Sequence, residues 1–133
     1  MRRALTNVAG KVVWFLDTCH AGGAGKRSPV DMNVLLHTIA SGENGGIVAF
    51  ASSKGEETSI ESSAWKNGAF TKALVEGVEQ GKAAAFGRDA ITTSMLDAFL
   101  QARVSDLTDG EQHPVMNRPP QEADFTFARA RKP

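Results

Sequence analysis

Apolar and polar positions divide the 133 residues into blocks of two different periods. Val12-Val13-Trp14-Phe15-Leu16 and Ile47-Val48-Ala49-Phe50-Ala51 are unbroken apolar runs without alternation. Short runs of this kind, rich in β-branched and aromatic residues, predict strands covered on both faces, as in a parallel sheet with helices on either side. Between them Met32, Leu35, Leu36 and Ile39 recur at helical spacing behind Asp31. That pattern predicts a helix capped by the Asp31 carboxylate and stopped by Ser41-Gly42 and the turn Asn44-Gly45-Gly46.

Beyond the second run, a polar loop over 52–68 leads to a predicted helix over 69–80, with Phe70, Leu74 and Val78 along one face and Gly81 at its end. A further helix is expected from Thr93 or Ser94, turning Leu96, Phe99, Leu100 and Val104 inward. A Pro-rich stretch over 114–120 then precedes a short final strand over 124–128. The order strand, helix, strand, helix, helix, strand is that of an α/β fold, and no internal repeat is present. Ligands of open parallel sheets bind beyond the C-terminal strand ends. Cys19 and the loop over 52–61 follow the two apolar runs, so they are expected to share one rim.

Composition narrows the function classes. The length fits one domain with a single core. Fifteen basic and fifteen acidic side chains cancel, so no field favours nucleic acid or an anionic membrane surface, and neither is an expected partner. The basic end, Arg129, Arg131 and Lys132, reads as a solvated tail. No apolar run approaches the ~20 residues of a membrane span, and Met1-Arg2-Arg3-Ala4 lacks the apolar core of a signal peptide, which makes a cytoplasmic location the expectation. One cysteine, Cys19, allows no internal disulfide and no multi-cysteine zinc site.

The chemistry-bearing stretch is WFLDTCHAGGAGKRS, residues 14–28. A phosphate loop needs Gly, four residues, then Gly-Lys-Ser/Thr, because the glycines let backbone N–H groups wrap phosphates and the hydroxyl binds magnesium. Here His20 stands where the first glycine belongs and Arg27 where the hydroxyl is required. A phosphatase loop needs Arg six positions after the cysteine, and Gly25 is there instead. What remains is Cys19 itself, at the end of a buried strand and followed by small residues that leave its rim sterically open. It is either a packing residue or a nucleophile.

Asp17-Thr18-Cys19-His20-Ala21-Gly22 resembles the Asp-x-Cys-His-Ser-Gly nucleophile segment of caspase-like cysteine peptidases, in the metacaspase and bacterial caspase-family branch, with Ala21 in place of the usual serine. Downstream, Ala51-Ser52-Ser53 followed by Glu57-Thr58-Ser59-Ile60-Glu61 resembles that family's second strand and acidic loop. Gly68-Ala69-Phe70-Thr71 resembles its Gly-x-Phe-Thr helix start, and Gln112-His113-Pro114-Val115 its Gln-x-Pro segment before the last strand. The matches run in family order over nearly the whole chain.

The resemblance implies a three-layer α/β sandwich with a mostly parallel sheet, of the caspase-hemoglobinase kind, incomplete at its N-terminus. It implies a cysteine endopeptidase in which the Cys19 thiolate attacks a backbone carbonyl and a histidine supplies acid–base catalysis. Asp17 and Glu57 are the implied acids for an Arg or Lys side chain before the scissile bond. Asp17 alternatively accepts N–H bonds from its own loop, and Glu56 takes the place of Glu57 if the match shifts by one residue. Lys26-Arg27 is either a self-cleavage site or a solvated loop. No cofactor or metal is expected; no acidic cluster has calcium-loop spacing, and the calcium dependence of some metacaspases is not carried over.

The implied histidine lies ~50 residues before the cysteine, yet eighteen residues precede Cys19. His20 adjoins the nucleophile and diverges from it, His37 lies on the helix face opposite Leu35 and Leu36, and His113 is expected in a distant loop. The chain therefore reads as the second half of a peptidase domain. Its partners would be a peptide substrate and an upstream half-domain, or another chain, covering the strand edge over 12–16. The alternative is a non-catalytic fragment or pseudoenzyme acting as an interaction module.

Overall fold

A computed structural model describes residues 10–17, 34, 36–38, 46–54, 57, 59–60, 62–63 and 67–130. It is a mixed α/β structure with strands β1 (Val12–Leu16) and β2 (Ile47–Ala51), helix α1 (Ala69–Val78), strand β3 (Ala90–Thr92), helix α2 (Thr93–Leu107), and strands β4 (Val115–Asn117) and β5 (Thr126–Arg129). Two sheets form, one ordered β1-β2-β4 and the other β3-β5. β1 and β2 are parallel and in register from Val12 opposite Ile47 to Leu16 opposite Ala51. The other two pairings are antiparallel, so among the described residues parallel character is confined to β1 and β2.

The reason lies in two strands that the residue pattern conceals. β4 falls inside the Pro-rich stretch, where Pro114 and Pro119 flank Val115-Met116-Asn117 and, lacking N–H donors, keep the strand short. β3 spans three residues and abuts α2 directly, too short to show a period. The final strand begins at Thr126 instead of Asp124 because the Asp124 carboxylate is engaged across the fold, where its Oδ1 accepts from Thr93 Oγ1 at 2.7 Å and from Ser94 N at 3.0 Å. This carboxylate meets the positive N-terminal end of α2, where Thr92 is the N-cap and accepts from Met95 N at 3.2 Å.

β2 is the centre of the sheet and every one of its residues is buried. Val48 and Phe50 face a core built with Phe70, Ala73, Ile91, Leu96, Leu100 and Val104. Phe15 stacks on Phe50 with ring centroids 5.1 Å apart and meets Phe127 at 5.6 Å. The opposite face of the sheet, Ile47, Ala49 and Ala51, packs with Leu36 and with Val12, Trp14, Leu16 and Val115. Residue 34 and residues 36–38 are helical, with Leu36 buried and His37 exposed as the spacing predicts. β1, expected to be covered like β2, is only half-buried along its whole length, since one of its edges has no strand beside it among the described residues.

α1 and α2 approach closely where Gly77 faces Phe99; a Cβ added to Gly77 would lie 2.9 Å from the phenyl ring. One turn of charge joins the same helices. Buried Glu76 receives Arg103 Nε at 2.7 Å and Nη2 at 3.2 Å, with Lys72 Nζ at 2.8 Å on the other side. Hydrogen bonds from Arg103 and then Lys72 outweigh burial and hold the Glu76 carboxyl at about 2, against 4.5 ordinarily.

A folded-state pKa below the unfolded one contributes stability that is complete above the unfolded value and is lost as pH falls through the folded value. The Glu76 contribution is therefore expected in full above pH 4.5 and gone near pH 2. Urea unfolding of the parent chain should lose stability across that window, and Glu76→Gln should flatten the loss while lowering stability at neutral pH. An unchanged slope in the variant would show that other carboxylates govern the acid transition.

Candidate functional site

The register of β1 on β2 sets the rim. Leu16 lies opposite Ala51, and Ser52 N donates to Leu16 O at 2.9 Å, so Asp17 and Ser52 leave the sheet side by side at the C-terminal ends of parallel strands. The antiparallel pairing of Val115 with Ala51 returns a third segment, residues 112–114, to the same end. Three stretches that are far apart in the chain thus meet at one rim.

Asp17 is exposed, and its Oδ2 accepts from Thr71 Oγ1 at 2.5 Å. Thr71 is in the first turn of α1, whose N-cap, Gly68, has no side chain to cap it. A Cβ built on Gly68 would lie 3.5 Å from Asp17 Oδ2, which places the carboxylate at the helix N-terminus, where the aligned peptide dipoles favour a negative charge. Asp17 is thus held by a hydroxyl from a helix, while the loop that follows it, with the N–H groups that Asp17 alternatively accepts, lies outside the described residues, and Oδ1 has no partner among the described residues.

Gln112 organises the rest. It is fully buried, its Nε2 donates to Ser52 O at 2.7 Å, and its Oε1 accepts from Ile60 N at 2.8 Å. Its own N–H donates to Thr108 Oγ1 at 3.1 Å. One carboxamide therefore clamps the exit of β2 to the far side of the polar loop, and Ile60 O in turn accepts from Ala69 N at 2.9 Å at the start of α1. Inside this clamp the buried hydroxyls of Ser52 and Ser59 lie 2.8 Å apart. A polar loop is accommodated against the core because its polar groups find partners.

Glu57 is not a free pocket acid. Its Oε2 accepts from His113 N at 2.9 Å, Oε1 stands 3.0 Å from His113 Nδ1, and Lys54 Nζ is 3.7 Å away. His113, expected in a distant loop, instead belongs to the rim, because β4 pairs with β2 and brings residues 112–114 along. The short motif Gln112-His113-Pro114 marked this segment, but only the concealed strand tells where it goes. Cys19, His20, Lys26, Arg27 and Glu56 lie outside the described residues. Among the described residues no group of three or more His, Cys, Asp or Glu could hold a metal ion, and no helix is long and apolar enough to cross a membrane.

No family model, curated protein or solved structure matches the chain. The reading of the rim therefore stands on its own geometry and on the motifs of the sequence.

Gln112 yields the sharpest test of that geometry. Gln112→Glu keeps the shape but turns a donor into an acceptor facing Ser52 O, and a buried polar group left unsatisfied costs about 1–3 kcal/mol. Chemical denaturation should show a loss of at least that size, accompanied by faster amide exchange at Ile60 and Ala69. If Ile60 exchange is unchanged, the carboxamide does not hold the loop.

Proposed function

We propose that this chain is the nucleophile-bearing part of a caspase-like cysteine endopeptidase that acts after Arg or Lys, with Cys19 as nucleophile. The single observation that carries the reading is the parallel register of β1 and β2. It delivers Asp17, two residues before Cys19, to the same rim as the loop bearing Glu57. The resemblance of Asp17-Thr18-Cys19-His20-Ala21-Gly22 and of the later motifs supplies the chemistry. In this reading the mixed α/β core belongs to a three-layer caspase-hemoglobinase sandwich, and the location is cytoplasmic.

The reaction follows from those parts. The Cys19 thiolate attacks the carbonyl carbon after the basic residue, backbone N–H groups hold the oxyanion, and the C–N bond breaks as an imidazolium gives its proton to the leaving amine; water then hydrolyses the thioester. The imidazole comes from a segment ahead of Cys19, in the same chain or another. Asp17, anchored on Thr71 with Oδ1 turned to no described partner, is the principal acid for the substrate's cation. Glu57, shared with His113 and Lys54, adds to it only where those contacts yield. The same engagement of Glu57 favours the second reading, an interaction module whose pocket is filled from within.

Joined to a histidine-bearing upstream segment, in cis or as a separate chain, the protein should cleave Arg- and Lys-terminated reporters, with activity abolished by Cys19→Ser. Asp17→Ala should lower kcat/KM for those reporters by at least about tenfold, the discounted effect of unpairing a partly solvated cation. Without that segment, Cys19 should alkylate no faster than an ordinary thiol near neutral pH. Cys19-dependent cleavage by the chain alone would overturn the need for an upstream base; equal cleavage of Arg and neutral reporters would remove Asp17 from the pocket.

A further inference from the structure

The loop between α1 and β3 carries a turn whose residues do not suit its backbone. Phe86 has φ 58° and Gly87 φ 70°, and Arg88 N donates to Ala85 O at 3.2 Å. Positive φ at both central residues, closed by that bond, marks a type I′ turn, which is dominated by Asn, Asp and Gly because a bulky side chain crowds the backbone there. Gly87 fits this rule and Phe86 breaks it. The other described non-glycine residue with positive φ is Asp109, of a type that tolerates the conformation. Packing does not compensate Phe86, since it is 96% exposed, against 61% for Val34 and 38% for Val75, the other large apolar side chains exposed among the described residues.

The loop holds this side chain out from a firm base. After α1, Lys82 N donates to Glu76 O at 3.3 Å, Ala83 N to Gly77 O at 3.1 Å and Ala84 N to Gly81 O at 3.1 Å, with Ala83 buried. Before β3, Ala130 N donates to Asp89 O at 2.7 Å, and Arg129 Nη1 donates to Asp89 Oδ1 at 3.0 Å. A Cβ built on Gly87 would meet nothing within 4 Å, so the turn stands clear of the other described residues. A strained residue kept by a well-tied loop, with no contact of its own to stabilise it, is the pattern expected where function and not folding chooses the side chain.

We infer that Phe86 is the anchor of a docking surface for a second protein, and that it seats in an apolar pocket of that partner whose rim carries carboxylates. Charge defines the rim. Lys82 and Arg88 are exposed on either side of Phe86 in the loop, and the Arg88 guanidinium has no partner among the described residues. Lys82 Nζ stands 3.8 Å from a Glu76 carboxylate that Arg103 and Lys72 already hold. A large aromatic side chain beside an arginine is the composition that carries binding energy at protein interfaces, and a side chain fixed beforehand loses little freedom on docking. A lipid surface fits less well. Even a whole acyl chain gives only a marginal anchor without a second signal, and fifteen basic and fifteen acidic residues supply no net attraction to anionic lipid. The inference uses no residue of the rim around Asp17 and is independent of the peptidase reading.

Phe86→Asn should raise the melting temperature of the chain by about 3 °C or more, because Asn adopts the turn conformation at little cost. No rise would remove the strain on which the inference stands. In the cells that encode the chain, p-benzoylphenylalanine in place of Phe86 should cross-link on irradiation to one protein, at a site that mass spectrometry maps to an apolar pocket bordered by Asp or Glu. The same group in place of exposed Gln101 should not capture that protein. Arg88→Glu should lower the yield from position 86 by about tenfold, since a like charge would then face the carboxylates. Vesicles of phosphatidylglycerol and phosphatidylcholine should not sediment the chain. Cross-links to a second copy of the chain, to scattered sites on many proteins or to none, a yield indifferent to Arg88→Glu, equal capture from position 101, or Phe86-dependent sedimentation with the vesicles would each overturn the proposal.

Discussion

The rim of this molecule hangs on one buried carboxamide. Gln112 donates to Ser52 O and accepts from Ile60 N, which fixes the loop after β2 at both ends with a single rigid plane. The arrangement works because an unpaired amide at this depth would be costly, so neither the loop nor the segment before β4 can move without exposing a polar group to the core. Everything that gives the rim its chemistry is downstream of that bond. Glu57 meets His113 because Gln112 holds their segments together, and α1 begins where it does because Ile60, bonded to Gln112, accepts from Ala69. Asp17 then completes the first turn of α1 through Thr71.

Away from the rim a second polar constraint orients the helices. Glu76 faces into the contact between α1 and α2, beside the point where Gly77 admits the Phe99 ring. Apolar packing alone would let two helices slide or rotate on each other, since many leucine and phenylalanine contacts are nearly equivalent. A buried carboxylate that must keep Arg103 in bidentate contact allows far fewer settings. The helices carry the core against which β2 packs, so the ion pair transmits its geometry to the sheet and from there to the strand ends.

Long, strongly patterned elements were legible in the residues. β1 and β2 appear as apolar runs, and the faces of α1 and α2 follow from Phe70, Leu74 and Val78 and from Leu96, Leu100 and Val104. β3 and β4 were not legible, because three residues cannot display a period and because prolines around Val115–Asn117 read locally as turn. That single omission propagates: without β4 the pairing with β2 is unknown, His113 looks remote, and Glu57 looks free. The end of the chain shows the same effect on a smaller scale. Asp124 reads as the first residue of a strand, yet its carboxylate serves Thr93 and Ser94 across the fold, a contact that only the tertiary structure supplies.

The difference in cover between β1 and β2 is the least satisfied feature of the fold. The two strands are near-equivalents in composition and lie side by side in register, so local propensity cannot explain why one is buried and the other half-exposed. Position in the sheet does, since among the described residues β2 has β1 and β4 on its flanks and β1 has β2 alone. A protein that exposes such an edge for its own sake usually blunts it with charge, proline or a bulge within the strand. Here the charges stand only at its two ends, as Lys11 and Asp17, and the strand between them is wholly apolar. Asp17 therefore sits at the junction of two demands, as the anchor of the rim on α1 and as the terminal charge of an edge that requires a neighbour. Whatever strand covers that edge will set the surroundings of the residue that leads to Cys19.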